Sequence, residues 1–475
     1  MVPKSSLLED RQQRVTLDGE NSDWANVEAG VPQGSILGPI LFLIFINDLI
    51  EVVDSDIRIF ADDTFIFTIV DSTSASRLMK DLDAITRWSV QWKLEFNPTI
   101  TKQAVEVLFS NKRIKSKLDP LILNGILIKQ VDETKHLGVT LDSKLNFKLH
   151  VEEKLAKARS GLGLMKQLKK WVSSDVLENI YKLYIRPNLD YADVIYHKAE
   201  DINTTFYIEN QNKLMKKVEK IQYDAARIIT GAWKGTNREK LYKYLGWESL
   251  NERRIMRKVS IMYETIETKS PNHLYKIIEE QLLGARSRLV GTNLLEPIHC
   301  SGPYKLSFFP SAIKDWNNLD NEIRDSKSKN IFKKRILNKI RPKKASYFGI
   351  RNHDHVRYLT MLRLDLSPLR DHKFRKGFLD TSNGLCHVCK KKEDTEHFLL
   401  FCRSYILSRS TMMQNISNIL GYEVSTLPRR MLVNLLLYGR EDTTAEKNNL
   451  ILNNVIEYII KSKRLDILEE GEGGF

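Results

Sequence analysis

The 475-residue sequence predicts an α+β fold in which an antiparallel sheet with helices is followed by a long helical region and a small helical C-terminal segment. Three observations carry that prediction. Up to about residue 145, short β-rich runs alternate with Gly, Asn and Asp turn signals. From Asn146 onward, apolar residues recur at helical spacing within long basic stretches. Three of the four cysteines crowd together near the C-terminus, with a histidine among them, a usage that points to metal more than to bridges.

Taken in order, RQQRVTLDGENSDWANVEAG (11–30) reads as a hairpin turning at Asp18-Gly19. GVPQGSILGPILFLIFINDLIEVV (30–53) opens with a Gly/Pro loop and continues as an apolar helix from near Ser35. RIFADDTFIFTIV (58–70) holds two β-rich runs around a polar centre. SASRLMKDLDAITRWSVQWKLEF (74–96) is helical in spacing and stops at Asn97-Pro98, with Trp88 and Trp92 as core residues. AVEVLFS (104–110) is a strand, LILNGILIKQ (121–130) a β pair turning at Asn124-Gly125, and HLGVTLD (136–142) a further strand. Basic amphipathic helices are expected over HVEEKLAKARSGLGLMKQLKKW, SSDVLENIYKLYIRPNLDYADVIYH and NKLMKKVEKIQYDAARIITG. These patterns divide the chain into 1–145, a helical region 146–285, an irregular basic linker 286–350 marked by prolines and FKKRILNKIRPKK, and a helical C-terminal region 351–475.

Composition narrows the partners. Apolar content of 42% and charged content of 28% are those of a soluble globular protein, and a net charge of +14 favours a polyanion such as nucleic acid. The longest apolar run, Ile36 to Ile46, is broken by Gly38-Pro39 and falls short of the roughly 20 residues that cross a bilayer, so no membrane partner is expected. The N-terminus lacks a signal-peptide core, so the expectation is an intracellular protein of nucleus or cytoplasm, without disulfides.

The pair Asp62-Asp63 stands out in its apolar surroundings. Neighbouring side chains of a regular strand point to opposite faces, so adjacent carboxylates serve one site only where the chain bends. The flanking runs allow a hairpin with the acids at its tip. Close carboxylates resist joint ionisation unless a cation lies between them, and hard oxygen donors suit Mg²⁺ or Mn²⁺. An acidic turn that merely faces water has the same local pattern.

The second cluster, CHVCKKKEDTEHFLLFC, spaces Cys386, Cys389, His397 and Cys402 as C-x2-C-x7-H-x4-C. Three thiolates and an imidazole are a closed tetrahedral donor set for a structural Zn²⁺, with buried unligated thiols as the alternative. Lys390, Lys391 and Lys392 lie inside the ligand loop, where they meet phosphates or water.

Residues 30–142 resemble the motifs of a reverse transcriptase palm, in order: GVPQGSILGPILFLIFINDL, FADDT, a Trp-containing helix leading to FNPTITKQAVEVLF, and HLGVTLD. The resemblance is closest to non-LTR retrotransposons of the LINE type, jockey-like in kind. YKLYIRPNLDYADVIYH resembles the thumb region of the same elements, and the cysteine cluster their C-terminal segment. The resemblance implies a partial palm (1–145), a thumb or connection region (146–285), RNA-directed DNA polymerase activity, and an RNA template, DNA primer and dNTPs as substrates. It implies Asp62 and Asp63 as Mg²⁺ (or Mn²⁺) ligands. Gly30, Pro32, Gln33, Gly34 and Ser35 would contact template and incoming nucleotide, and Lys102 would approach the triphosphate. A first metal-binding aspartate, which such enzymes carry several dozen residues before the GVPQGS loop, has no counterpart among Glu9, Asp10, Asp18, Glu20, Asp23 and Glu28. The expectation is a truncated polymerase, weak or inactive alone, or a non-catalytic nucleic-acid-binding remnant.

Overall fold

The computed structural model describes residues 11–27, 30–32, 34–71, 73–94, 104–110, 119–196, 206–284, 294, 296, 304, 307–340, 352–378, 380–440 and 442–465, with 206–212, 281–284 and 340 by backbone alone. The chain forms two units, Met1–Phe147 and Lys148–Phe475. The first mixes small β-ladders with helices, and the second is mostly helical.

In the first unit, two-residue turns with left-handed backbone build local hairpins. Asp18 and Gly19 (φ 50° and 90°) join Thr16–Leu17 to Glu20–Asn21, and Asn124 and Gly125 (49° and 76°) join Ile122–Leu123 to Ile126–Leu127. Among the described residues each ladder is two-stranded, so the antiparallel sheet expected from the sequence is described as separate pairs. Four of these ladders join strands adjacent in sequence, while Gln12–Gln13 pairs with Ala25–Asn26 around the Asp18-Gly19 hairpin. HLGVTLD is not one strand. Leu137 and Gly138 take φ 45° and 75° and fold it into a hairpin between Glu133–His136 and Val139–Asp142. The 104–110 run pairs only over Val105–Glu106, in parallel with Lys129–Gln130.

Helices Leu37–Ile46 and Ser74–Trp92 enclose the main core of this unit. Ile46, Leu49, Ile57, Ile85 and Trp88 are buried together, with Phe42, Phe45, Ile59 and Ile66 packed against them. Trp88 is 3% exposed and donates its Nε1–H to Asp48 Oδ1 at 3.0 Å, whereas Trp92 lies at the margin, 40% exposed, edge-on to Phe45.

The second unit opens with helix Lys148–Leu168, whose Val151, Leu155, Ala158, Leu162 and Met165 form one buried stripe. The 173–197 stretch is not one helix. It runs as Ser174–Ile180, a π-turn at Tyr181–Ile185, Arg186–Asp190 and Asp193–Tyr196. Pro187 has no N–H to offer Leu183, and the π-turn absorbs the lost bond by letting Arg186 N–H reach Tyr181 O. Asp190 and Asp193 then pair with Arg253, Arg254 and Arg257 of helix Leu250–Thr268, which starts in a capping box of Ser249 and Glu252.

Within the stretch read as a linker, 286–350, the described residues 307–340 are mostly packed helix. Phe308–Asn317 and Lys329–Ile340 bury Ala312, Ile313, Trp316, Phe332 and Ile336 against Val259, Met262 and Tyr263. Pro310 falls in the first turn of its helix, where no intrahelical N–H is lost, and the basic run keeps Phe332 and Ile336 one turn apart beneath exposed lysines. Beyond it, Ile406–Leu420, Arg429–Tyr438 and Ala445–Ser462 complete a helical C-terminal part around the cysteine cluster. Among the described residues no helix is long and apolar enough to cross a membrane.

Candidate functional site

Strands Asp56–Phe60 and Asp63–Phe67 pair in a five-residue antiparallel ladder, with Phe60 opposite Asp63 and only Ala61 and Asp62 in the turn. Ala61 takes φ 53°, the left-handed geometry that a two-residue hairpin turn needs. Alternation sends Ile57, Ile59 and Ile66 into the core and leaves Arg58, Phe60 and Asp63 on the outer face. Both carboxylates are therefore exposed at the hairpin tip. No third His, Cys, Asp or Glu gathers with them among the described residues.

The base of this hairpin is held by a side chain that the sequence reading did not single out. Asp81, 2% exposed, accepts the backbone N–H groups of Asp54 (2.9 Å) and Ser55 (3.2 Å), tying the entry of the first strand to helix 74–92. The available signal was an acid at a core position of the helix: Asp81, Ile85 and Trp88 lie on one stripe.

In the loop before helix 37–46, Gly30 and Gly34 take φ 86° and 83°. Ser35 Oγ donates to Pro32 O at 2.8 Å and accepts Gly38 N–H at 3.0 Å, closing the loop onto the helix start. Gln33 and Lys102 lie outside the described residues.

In the second unit, one ligand atom from each of Cys386, Cys389, His397 and Cys402 lies within 4.8 Å of all the others. A knuckle sets the first two. Cys386 N–H donates to Lys391 O and Lys390 N–H to Cys386 O, with Lys390 in left-handed backbone at φ 57°. Gly384 lets the chain pass close beside it, where a Cβ would stand 3.1 Å from the Asp371 Cα. The last two ligands come from the π-turn His397–Phe401, in which Cys402 N–H reaches His397 O at 2.8 Å. That i to i+5 bond turns an H-x4-C spacing into a shared face. Asp394 Oδ1 accepts His397 N–H and fixes the entry to the turn.

These donors fit zinc. Cys386 and Cys402 Sγ stand 3.9 Å apart, close to the edge of about 3.8 Å in a tetrahedron of Zn–S bonds near 2.3 Å. His397 Nε2 is buried with no hydrogen-bond partner, the condition of an imidazole whose lone pair serves a metal. Cys389 Sγ accepts the Arg403 backbone N–H at 3.2 Å. Burial pushes the Cys402 thiol up to about 11. Cys300 lies outside the described residues.

Behind the knuckle, Glu393 is the other residue that spacing did not reveal. It is 5% exposed and accepts Arg464 Nε and Nη2 at 2.9 and 2.7 Å and Arg370 N–H at 2.8 Å.

Comparison with known proteins agrees with the motif order. Residues 2–141 match the family described as reverse transcriptase (RNA-dependent DNA polymerase). Over 240 residues the chain is 32% identical to the RNA-directed DNA polymerase from mobile element jockey of Drosophila melanogaster, a match covering 48% of this chain and 24% of that protein. The Drosophila funebris counterpart is 32% identical over 228 residues, covering 45% and 24%. The probable RNA-directed DNA polymerase from transposon BS of Drosophila melanogaster is 31% identical over 157 residues, covering 31% and 17%. The chain thus spans about a quarter of the length of the jockey proteins it matches.

Proposed function

We propose that this chain, whose residues 2–141 form a reverse-transcriptase domain of the non-LTR, jockey-like kind, takes part in RNA-directed DNA synthesis, with Asp62 and Asp63 as its metal-binding acids. The observation that carries this reading is the hairpin tip: two exposed carboxylates on a two-residue turn, inside the segment similar to polymerases. Mg²⁺ or Mn²⁺ held there would activate a primer 3′-oxygen and stabilise the charge of a triphosphate. Two adjacent acids supply only part of the donor set that a pair of such ions requires, so the isolated chain is expected to polymerise weakly.

The chain's own residues have separate tasks in this proposal. The core-facing isoleucines and Asp81 hold the hairpin rigid, so that Asp62 and Asp63 keep a fixed separation. Gly30, Pro32, Gln33, Gly34 and Ser35 line the approach of template and nucleotide, where glycine admits nucleic acid close to the backbone. Lys102 neutralises the departing pyrophosphate. Residues 146–285 act as the thumb or connection region, and the Cys₃His cluster binds Zn²⁺ as a structural centre. RNA template, DNA primer and dNTPs are the substrates, met inside the cell.

A second reading, nucleic-acid binding without chemistry, is favoured by the absence of a third acid beside the pair among the described residues and by the charge of +14. Primer extension on an RNA template with Mg²⁺ or Mn²⁺ separates the two. Weak extension that disappears in Asp62→Ala/Asp63→Ala supports the enzyme reading. Extension unaffected by that double substitution refutes the assigned site. No extension, with RNA binding that weakens steeply as salt rises, supports the second reading.

A further inference from the structure

The turn between helices 148–168 and 174–180 carries Lys169, Lys170 and Trp171. Trp171 is 85% exposed, against the strong average burial of this side chain. The turn beneath it is well tied. Trp171 and Val172 N–H both donate to Leu168 O, at 2.8 and 3.1 Å, and Ser173 caps the next helix by accepting Val176 N–H. The ring stands out from a closed turn.

Two other segments meet the same corner at the C-terminal end of helix Phe206–Thr230. Ser174 Oγ donates to Ile229 O at 2.8 Å, and His353 Nε2 lies 2.7 Å from Ile228 O, in the tautomer that donates there. Gly231, at φ 67°, lets the Arg357 stem lie against the chain, since a Cβ would stand 2.8 Å from Arg357 Cγ. Lys169 and Arg357 are thereby brought near His353 at one terminus, with Lys170 next to Lys169 in the chain. Burial holds the His353 imidazole below its ordinary value, and Lys169 and Arg357 add to that effect, against the Ile228 carbonyl and Asp354. Asp354 and Asp175 are the acids nearest in the chain to these cations.

We infer that this corner binds a single strand of nucleic acid, Trp171 stacking on an unpaired base while Lys169, Lys170 and Arg357 face the adjoining phosphates. One protruding ring among cations is the arrangement that stacks bases without reading their sequence. A protein partner would instead need several apolar residues around a dry centre. The inference rests on the nucleic-acid reading of the chain, and lies outside the segment 2–141 that matches the reverse transcriptase family.

The test is fluorescence anisotropy of labelled oligo(rU) and oligo(dT) with the full chain, over a range of salt. Trp171→Ala is expected to weaken binding roughly 5- to 150-fold, with Trp171→Phe retaining most of the affinity. Lys169→Gln/Lys170→Gln is expected to lower the slope of log affinity against log salt by about 1.4, from about 0.7 per lost phosphate contact. Unequal losses with rU and dT assign the preferred strand, and equal losses assign both. Because the ring is exposed, the thermal midpoint of Trp171→Ala should match wild type. Trp171→Ala binding as tightly as wild type at every salt overturns the inference and leaves the Asp62/Asp63 assignment standing. A wild-type chain that binds neither oligonucleotide overturns both.

Discussion

Replacing Glu393 by Gln tests whether one buried carboxylate joins three parts of the C-terminal region. Its oxygens take two hydrogen bonds from Arg464 and one from Arg370 N–H, while its own N–H donates to Gly384 O and its carbonyl accepts Asp371 N–H. Gln keeps the shape but turns an acceptor into a donor that faces Arg464 or Arg370. At least one charge-assisted bond, worth about 1.5–3 kcal/mol, is lost. The Arg464 side chain is 24% exposed and keeps part of its hydration, so the loss stays below the roughly 3–5 kcal/mol of a fully buried broken pair. The expected destabilisation is about 2–3 kcal/mol. The pH dependence has a definite sign. Burial pushes the Glu393 carboxyl up, but the Arg464 hydrogen bonds and Arg370 N–H outweigh it and hold it below the ordinary value. A depressed carboxyl contributes stability above its unfolded value, near 4.5, and loses it as pH falls through the folded value. Urea unfolding followed by circular dichroism at pH 7, repeated toward pH 4, should therefore give a difference that is full at pH 7 and shrinks in acid. Variant and wild type agreeing within about 0.5 kcal/mol at pH 7 would refute the reasoning.

Asp81→Ala removes the acceptor of two backbone N–H groups and is expected to cost the first unit about 2–4 kcal/mol, read as earlier protease cleavage within 11–94. Cleavage indistinguishable from wild type would count against Asp81 as the anchor of the hairpin. Cys386→Ser should lower the zinc content of purified protein from about one per chain to nearly none; an unchanged metal content would exclude this Cys₃His set as the zinc site. His353 is held below its ordinary value first by burial, so it contributes stability above its unfolded value of 6.5 that is lost as pH falls. The thermal midpoint should drop more steeply between pH 7 and 5 in wild type than in His353→Gln, and parallel curves would contradict the assignment.

Hairpins were legible where their turn chemistry is local. Asp18-Gly19 and Asn124-Gly125 announce left-handed turns, and the structure uses both. Leu137-Gly138 was missed because leucine rarely adopts positive φ, so the glycine read as part of a strand. The break at Tyr181–Ile185 was hidden by good helical periodicity on both sides, although Pro187 marks it. The 308–340 helices were masked by proline and lysine density, yet Phe332 and Ile336 lie one turn apart and both are buried. In that segment composition misled, and the spacing of two apolar residues was the better guide.

The two candidate centres differ in how far sequence alone determines them, and the reason is locality. All four thiolate and imidazole ligands fall within 386–402, so a knuckle and a π-turn suffice to convert spacing into geometry. Within each ligand pair the geometry follows from hydrogen bonds no more than five residues long, and the Arg403 N–H to Cys389 Sγ bond joins the two pairs. Asp62 and Asp63 are equally visible as a motif, but a hairpin tip supplies only adjacent acids, and further donors must come from other elements brought near by tertiary packing. Asp81 illustrates the same limit, since its partners Asp54 and Ser55 lie 27 and 26 residues away. Spacing does not encode such encounters. A carboxylate on the apolar stripe of a helix does signal that a buried acceptor must be satisfied, and the structure identifies its donors as the entry to the strand that carries the acidic tip.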